Sequence, residues 1–471
     1  MKKKLLMLSD DIRLHSGVGT MARALVTGTA HKYDWINVGG AVNHPEQGKI
    51  FDLSDDVNKQ RDLTDADVKV IPVNGYGDEN LLRQILQQEK PDGIVHFTDP
   101  RFWGWLYNME HELRQTMPLM YYNIWDDLPY PHWNEPFYDC CDLLMAISKQ
   151  TYNINKHVCT TRPRREGVDL TYVPHGIDPD MFYPCHSEAD VKAIDDIKQQ
   201  MFGDTRPEFI AMFNSRNIRR KGPSDLIAAF ANFVKLNHLG DKAALIMHTD
   251  IVDEHGTDLH AVAERIAPGC NIVFSTNKVS SQTLNWFYNM ADVVCNPSSA
   301  EGFGLTHAEA LMAGTPTIAT VTGGLQDQMG FMKNTSGKGL YKYIGLEDFT
   351  ADVPSNASGE QSKNCGPWTY PMYPNMSLQG SPQTPYIYDS RPTVKDIATG
   401  LNHWYHMSKS ERSQCGASGR TYLISEGFTE VGMCSEFEKS VDTCFENFTP
   451  RPKFELIDPS IKYEKPIGAL V

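Results

Sequence analysis

No apolar run in this chain reaches membrane-spanning length, which argues against a helical membrane protein. After Met1-Lys-Lys-Lys4 the apolar stretch is only Leu5 to Leu8, and Ser9-Asp10-Asp11 follows. That is too short for a signal-peptide core. A cytoplasmic location is therefore expected, and the sequons at Asn334, Asn356, Asn375 and Asn447 are expected to stay unglycosylated. The ten cysteines show no Cys-x-x-Cys spacing, so zinc ribbons are excluded and reduced thiols are the default. Positive charge is scarce. Lys and Arg number 44 against 59 Asp and Glu, a formal net charge of -15. That speaks against broad attraction to nucleic acid or anionic lipid. There is no low-complexity tract and no repeat at the scale of roughly 20–50 residues that marks solenoids.

What is present is an ordinary globular composition, 41% hydrophobic and 22% charged, spread over 471 residues. That is too long for one compact core, so at least two domains are expected. Short apolar runs alternate with helical patterns, the signature of parallel βαβ units. The first series has strands expected at 4–9, 35–38, 68–73, 93–97, 119–123, 143–147 and 170–173. The second begins at 209–213 and continues at 244–248, 271–274, 293–296 and 317–319. The fold class expected is α/β, two doubly wound domains facing a cleft. The domains are drawn as 1–190, a linker at 191–207, and 208–425, with 426–471 a C-terminal helix and tail packing back on the first domain. Between 330 and 392 the alternation stops. This stretch carries Trp368, Tyr370, Tyr373, Tyr386 and Tyr388, too many aromatics for a disordered loop.

The most informative string is Asn296-Pro-Ser-Ser-Ala-Glu301-Gly-Phe-Gly-Leu-Thr306-His-Ala-Glu309. Gly302 and Gly304 let the backbone approach a ligand closely. A helix beginning near Leu305 turns its free N–H groups, with Phe303 and Thr306 beside them, toward that approach and makes an anion site. Carboxylates only accept hydrogen bonds, so Glu301 and Glu309 suit sugar and ribose hydroxyls. A phosphorylated, polyhydroxylated ligand follows, and a nucleotide-sugar is the obvious candidate. The second string is Phe213-Asn-Ser-Arg216-Asn-Ile-Arg219-Arg220-Lys221-Gly222-Pro223. Cations at a strand end before a helix can neutralise a pyrophosphate, Arg as a fork and Lys as a point charge. The third, Gly17-Val18-Gly19, lacks the full Gly-x-Gly-x-x-Gly and reads as a flexible turn after the first strand.

Together with Val173-Pro-His-Gly-Ile-Asp178 and Gly323-Gly324, these strings resemble the retaining glycosyltransferases of family 4. That family has the GT-B architecture of two Rossmann-like domains. The resemblance is strong over 209–329 and only an outline in the first half. It implies that Arg216 and Lys221 bind the donor's diphosphate and stabilise the charge developing on it. Glu301 would contact sugar hydroxyls and Glu309 the ribose. Amides at Gly304, Leu305 and Thr306 would meet the phosphates, and Gly17–Gly19 would close over the donor. It implies no metal and no cofactor beyond the nucleotide-diphosphate-sugar, and no Asp-x-Asp is placed to bind a metal. The family's first-domain histidine is replaced at the equivalent place by Tyr121-Tyr-Asn-Ile-Trp125-Asp126-Asp127. Asp126 or Trp125 takes its role, or His96 does.

The acceptor is open: saccharide, small molecule, protein or a hydroxylated DNA base. For the last, Lys156, His157, Arg162, Arg164 and Arg165 would track a phosphate backbone and the aromatics of 330–392 would stack on a displaced base. A non-catalytic nucleotide-sugar-binding protein is the other alternative. An epimerase or phosphorylase is a further reading, although no pyridoxal phosphate lysine is marked.

Overall fold

The computed structural model describes residues 2–160, 169–334, 341–348 and 364–452. Two parallel sheets form its frame. The first has eight strands: β1 Lys3–Asp10, β2 Tyr33–Val42, β3 Phe51–Asp52, β4 Val68–Asn74, β5 Gly93–Phe97, β6 Leu119–Asn123, β7 Leu143–Ala146 and β8 Asp169–Tyr172, in the order β3-β4-β2-β1-β5-β6-β7-β8. All pairs are parallel except the short edge pair β3–β4. The second combines β9 Phe209–Asn214, β10 Ala243–His248, β11 Asn271–Ser275, β12 Val293–Asn296, β13 Thr317–Thr320 and β16 Thr369–Met372, in the order β11-β10-β9-β12-β13-β16. Two ribbons complete the set: β14 Met332–Asn334 with β15 Tyr341–Tyr343, and β17 Asn375–Ser381 with β18 Thr384–Arg391.

Strands covered by helices on both faces read as continuous apolar runs rather than alternations. Leu5, Leu6, Met7 and Leu8 of β1 are all fully buried, two facing each side. In β9, Phe209 to Phe213 behave alike. The helices around them start at caps the sequence supplies. Ser16, Ser187, Thr393 and Ser408 each accept a backbone N–H three residues on, a contact worth about 1 kcal/mol.

The first glycine string behaves differently from a turn. Gly17–Gly28 is a helix, so Gly17, Val18 and Gly19 are its first turn, with Ser16 Oγ accepting from the Gly19 amide at 3.0 Å. Gly19 is confined there: a Cβ would stand 2.8 Å from the Leu14 carbonyl oxygen. The stretch 330–392, where the alternation stops, is ordered where it is described. It supplies the edge strand β16 and the β17–β18 ribbon.

Most of 191–207 lies in the helix Glu188–Phe202, which is seated on the second domain through Trp286 Nε1 donating to Asp190 at 2.9 Å. The chain crosses between domains twice, side by side. Ile177 N donates to Phe428 O at 3.1 Å and Glu430 N to Ile177 O at 3.3 Å. After the second crossing the helix Glu430–Asn447 lies on the first domain, where Tyr33 donates to Asp442 at 2.8 Å.

Candidate functional site at the cleft between the two domains

Neighbouring strands β9 and β12 end on the same side of the second sheet, which brings the two loops named above together. Ligands in such sheets sit beyond the carboxyl ends of strands. Each loop turns through a glycine. Gly222 (φ +65°) precedes the helix Pro223–Asn237, and Gly304 (φ +88°) precedes the helix Leu305–Met312. A side chain at Gly304 would collide with Leu325. Ser299 N donates to Arg220 O at 2.7 Å, and the Arg220 guanidinium donates to Ala300 O at 2.6 Å.

An ion cluster forms between the loops. Lys221 Nζ donates to Glu301 Oε1, which also accepts from Ser298 Oγ at 2.7 Å. Arg220 Nη1 stands 3.8 Å from Glu301 Oε2. The lysine and glutamate side chains are only 12% and 10% exposed, so this is a buried pair. Burial pushes the Glu301 carboxyl up, but Lys221, Arg220 and the two hydrogen bonds outweigh it and hold it below its usual range, ionised. Asp126 reaches the same cluster from the first domain. Its carboxyl is raised by burial and by Glu301, with Arg220 and Lys221 opposing. Asp127 beside it is raised well above its usual range, by burial and then by Asp126.

The first amides of the helix Leu305–Met312, those of Leu305 and Thr306, have no intrahelical acceptor. Gly323 and Gly324 support the loop from behind, Gly324 N donating to Glu301 O at 2.9 Å. The first domain closes over it. A Cβ at Gly302 would stand 2.8 Å from Ile147 Cδ1 and 3.1 Å from Ile124 O, and one at Gly17 would stand 3.6 Å from Leu305 Cδ1. Phe303 packs edge-on against His175 at 5.3 Å. Behind the loop, Gln326 donates to Gln150, which donates to Asp126 O at 2.6 Å. Asp327 accepts from Lys149 N and Tyr172 OH, both at 2.9 Å. Glu309 lies further along the helix. It accepts from Tyr288 OH at 2.6 Å, and Tyr288 OH accepts from Asn214 at the end of β9. Burial raises its carboxyl to about 7.

The structure therefore brings Lys221, Glu301, Glu309, Gly302–Thr306, Gly17 and Asp126 to one place. Arg216, at the start of the same loop, is 57% exposed and bonded to Asp253 at 2.7 Å, while Arg220, given no role by the sequence, stands 3.8 Å from Glu301. His96 does not reach the cleft either. It is fully buried, with Tyr107 OH at 2.7 Å on Nδ1 and Thr98 Oγ1 at 3.1 Å on Nε2, and burial lowers its pKa to about 3. Both ring nitrogens are thus used inside the first domain, which makes it a core histidine. Ser298, which donates to Glu301, and Tyr288, which donates to Glu309, also belong to the site. Ser298 lies within the string that carries Glu301, whereas Tyr288 gave no local signal. Of the basic cluster proposed for DNA, Lys156 pairs with Glu347 and His157 stacks on Tyr130. Arg162, Arg164 and Arg165 lie outside the described residues.

Among the described residues no group of three or more His, Cys, Asp or Glu is arranged to hold a metal ion. No helix among them is long and apolar enough to cross a membrane.

Residues 194–334 match the family described as glycosyl transferases group 1. Among curated proteins, the alpha-monoglucosyldiacylglycerol synthase of Acholeplasma laidlawii is 27% identical over 186 residues, 39% of this chain and 43% of that protein. The D-inositol 3-phosphate glycosyltransferase of Corynebacterium jeikeium is 30% identical over 168 residues, 34% of this chain and 38% of its own. The chain thus spans less than half the length of these relatives. Among solved structures, the Anabaena protein HepE in complex with UDP and glucose superposes with a TM-score of 0.62 at 14% identity, over 94% of this chain and 100% of its own. Sucrose-phosphate synthase from Thermosynechococcus elongatus gives the same four values. The architecture is the GT-B fold.

Proposed function

We propose that this GT-B protein, whose second domain carries a glycosyl transferases group 1 segment, is a retaining glycosyltransferase using a nucleotide-diphosphate-sugar donor. The observation that supports it best is the buried Lys221–Glu301 pair with Arg220 beside it, set at the mouth of the helix at Leu305. Glu301 engages cations that a diphosphate would take over. Arg220, Lys221 and the amides of Leu305 and Thr306 then stabilise the charge growing on the leaving group, the role of a preorganised electrostatic site. Glu301 is freed to accept from sugar hydroxyls. Glu309, steadied by Tyr288, accepts from the ribose. Asp126 approaches the sugar from the first domain, in the place the family gives to a histidine.

In the transfer, the acceptor hydroxyl oxygen bonds to the anomeric carbon as the carbon–oxygen bond to the diphosphate breaks. The acceptor's proton passes to the departing diphosphate oxygen on the same face. The products are a glycoside of unchanged anomeric configuration and a nucleoside diphosphate. No separate general base is needed. The solved relative bound to UDP makes uridine the first base to try. The two curated relatives' names point to different acceptors, so the acceptor does not follow from likeness.

The test is a thermal-shift screen of nucleotide-sugars followed by assay of nucleotide release. A bound donor raises stability with the logarithm of its concentration over its Kd. One nucleotide series stabilises the protein and is turned over, and Lys221→Ala abolishes both. Stabilisation without turnover by any donor identifies a binding protein instead.

A further inference from the structure

Among the described residues the two strands of the ribbon β17–β18 pair with each other and with no other strand. Every residue of β17 is exposed. Its attachments lead across the cleft to the first domain. Tyr388 N donates to Leu128 O at 2.7 Å, and the Tyr386 ring meets Trp133 edge-on at 4.5 Å. At its base, Arg391 lines a small cavity with Asn217, Gly222 and Ser224 of the cationic loop. The ribbon therefore bridges the phosphate side of the second domain and the first-domain loop that carries Asp126 and Asp127.

The junction it creates has an uncommon chemistry. Trp125 and Trp133 pack edge-on at 5.8 Å and Tyr386 continues the row. The Trp133 indole N–H is buried with no hydrogen-bond partner among the described residues. Asp127 accepts no hydrogen bond or ion pair among the described residues. Burial, then Asp126 and Asp389, raise its carboxyl well above its usual range, with Arg220 opposing. An unmatched donor, the Trp133 N–H, and the Asp127 carboxyl thus flank an aromatic row. A buried polar group without a partner costs about 1–3 kcal/mol, so a ligand that offers an acceptor to the Trp133 N–H is favoured. A sugar does so. Each hydroxyl both donates and accepts, and the apolar face of the ring packs on aromatic side chains. A nucleic acid would bring phosphates against Asp389.

We propose that the ribbon and the 125–134 loop form the acceptor subsite, and that the acceptor is a neutral saccharide held by Asp127, the Trp133 indole N–H and the Tyr386 ring. This rests on the glycosyltransferase reading, and the experiment separates the two.

Intrinsic tryptophan fluorescence of the full chain is titrated with UDP, with a panel of neutral di- and trisaccharides including maltose, cellobiose and sucrose, and with a single-stranded DNA oligonucleotide at low salt. Each saccharide is tested with and without UDP. At least one saccharide binds saturably. Tyr386→Ala and Asp127→Asn each weaken it tenfold or more while UDP affinity changes less than twofold, and Trp133→Phe removes most of the response. Circular dichroism excludes misfolding, and Asp127→Asn, nearly isosteric, decides if Tyr386→Ala is unstable. No saccharide binding, saccharide binding indifferent to these variants, or DNA binding at the junction that Tyr386→Ala abolishes overturns the proposal. Absence of UDP binding overturns the donor reading alone, because the saccharide arm without UDP is scored independently.

Discussion

Replacing Lys221 by Met isolates the buried charge on Glu301. The pair's side chains are 12% and 10% exposed, so solvent cannot take over from the lost ammonium. Removing one partner of a buried ion pair costs about 3–5 kcal/mol. Here the lower end applies, because Arg220 remains 3.8 Å from the other carboxylate oxygen and Ser298 still donates to Glu301. Glu301→Gln in the Lys221→Met background removes the orphaned charge and restores part of the loss. The coupling between the two substitutions should be about 1–3 kcal/mol, the range for residues in direct contact. Urea unfolding of wild type, both single variants and the double variant, without nucleotide, measures this. Calorimetric titration with UDP measures the second consequence. Lys221→Met weakens UDP about 100-fold, or roughly 2.7 kcal/mol at 1.36 kcal/mol per tenfold. Single-variant losses below about 1 kcal/mol, or losses that add to within about 0.5 kcal/mol, would refute the reasoning.

Arg220→Ala should weaken UDP more than Arg216→Ala does, because only Arg220 faces Glu301 while Arg216 sits on Asp253; calorimetry on both ranks them. Glu309, raised to about 7 by burial, holds a proton in the folded protein that the unfolded chain releases nearer 4.5. Its contribution to stability is present below the unfolded pKa and is lost as pH rises through about 7, and Glu309→Gln flattens that part of the urea-midpoint profile. The ribose needs the ionised form as acceptor, so UDP affinity gains with pH between about 6 and 8 more in wild type than in Glu309→Gln. His96→Phe should cost about 1–3 kcal/mol through the unpaired Tyr107 and Thr98 hydroxyls and leave UDP affinity unchanged, as read by urea unfolding and calorimetry. Gly302→Ala should slow nucleotide release, because a Cβ would crowd the Ile124 carbonyl oxygen at 3.1 Å and force Ile147 to shift; a nucleotide-release assay checks this.

The frame of two parallel sheets was legible because strands buried on both faces leave runs such as Leu5–Leu8 that helices of this size do not produce. The Glu301–Thr306 loop was legible because a glycine pair before an apolar helix has few other uses. Three features were hidden. The choice between Arg216 and Arg220 depends on how the loop turns before Gly222, and on Asp253 some distance along the chain, and neither leaves a local pattern. His96 at a strand end looks the same whether it faces the cleft or the Tyr107 hydroxyl. The ribbon was masked because β17 lies in solvent on both faces. It shows none of the alternation that marks a half-buried strand, and it is held by a loop 260 residues earlier, through Tyr388 N donating to Leu128 O.

The ribbon has a mechanical consequence. Two covalent crossings, near Ile177 and Phe428, run side by side and act as a single pivot. Leu128–Tyr388 and Trp133–Tyr386 add a third, non-covalent tether. A jaw held at two separated points cannot swing wide about one of them. Admission of a bulky reactant then requires the tether to let go, and recapture of Trp133 by Tyr386 reports that the jaw has shut.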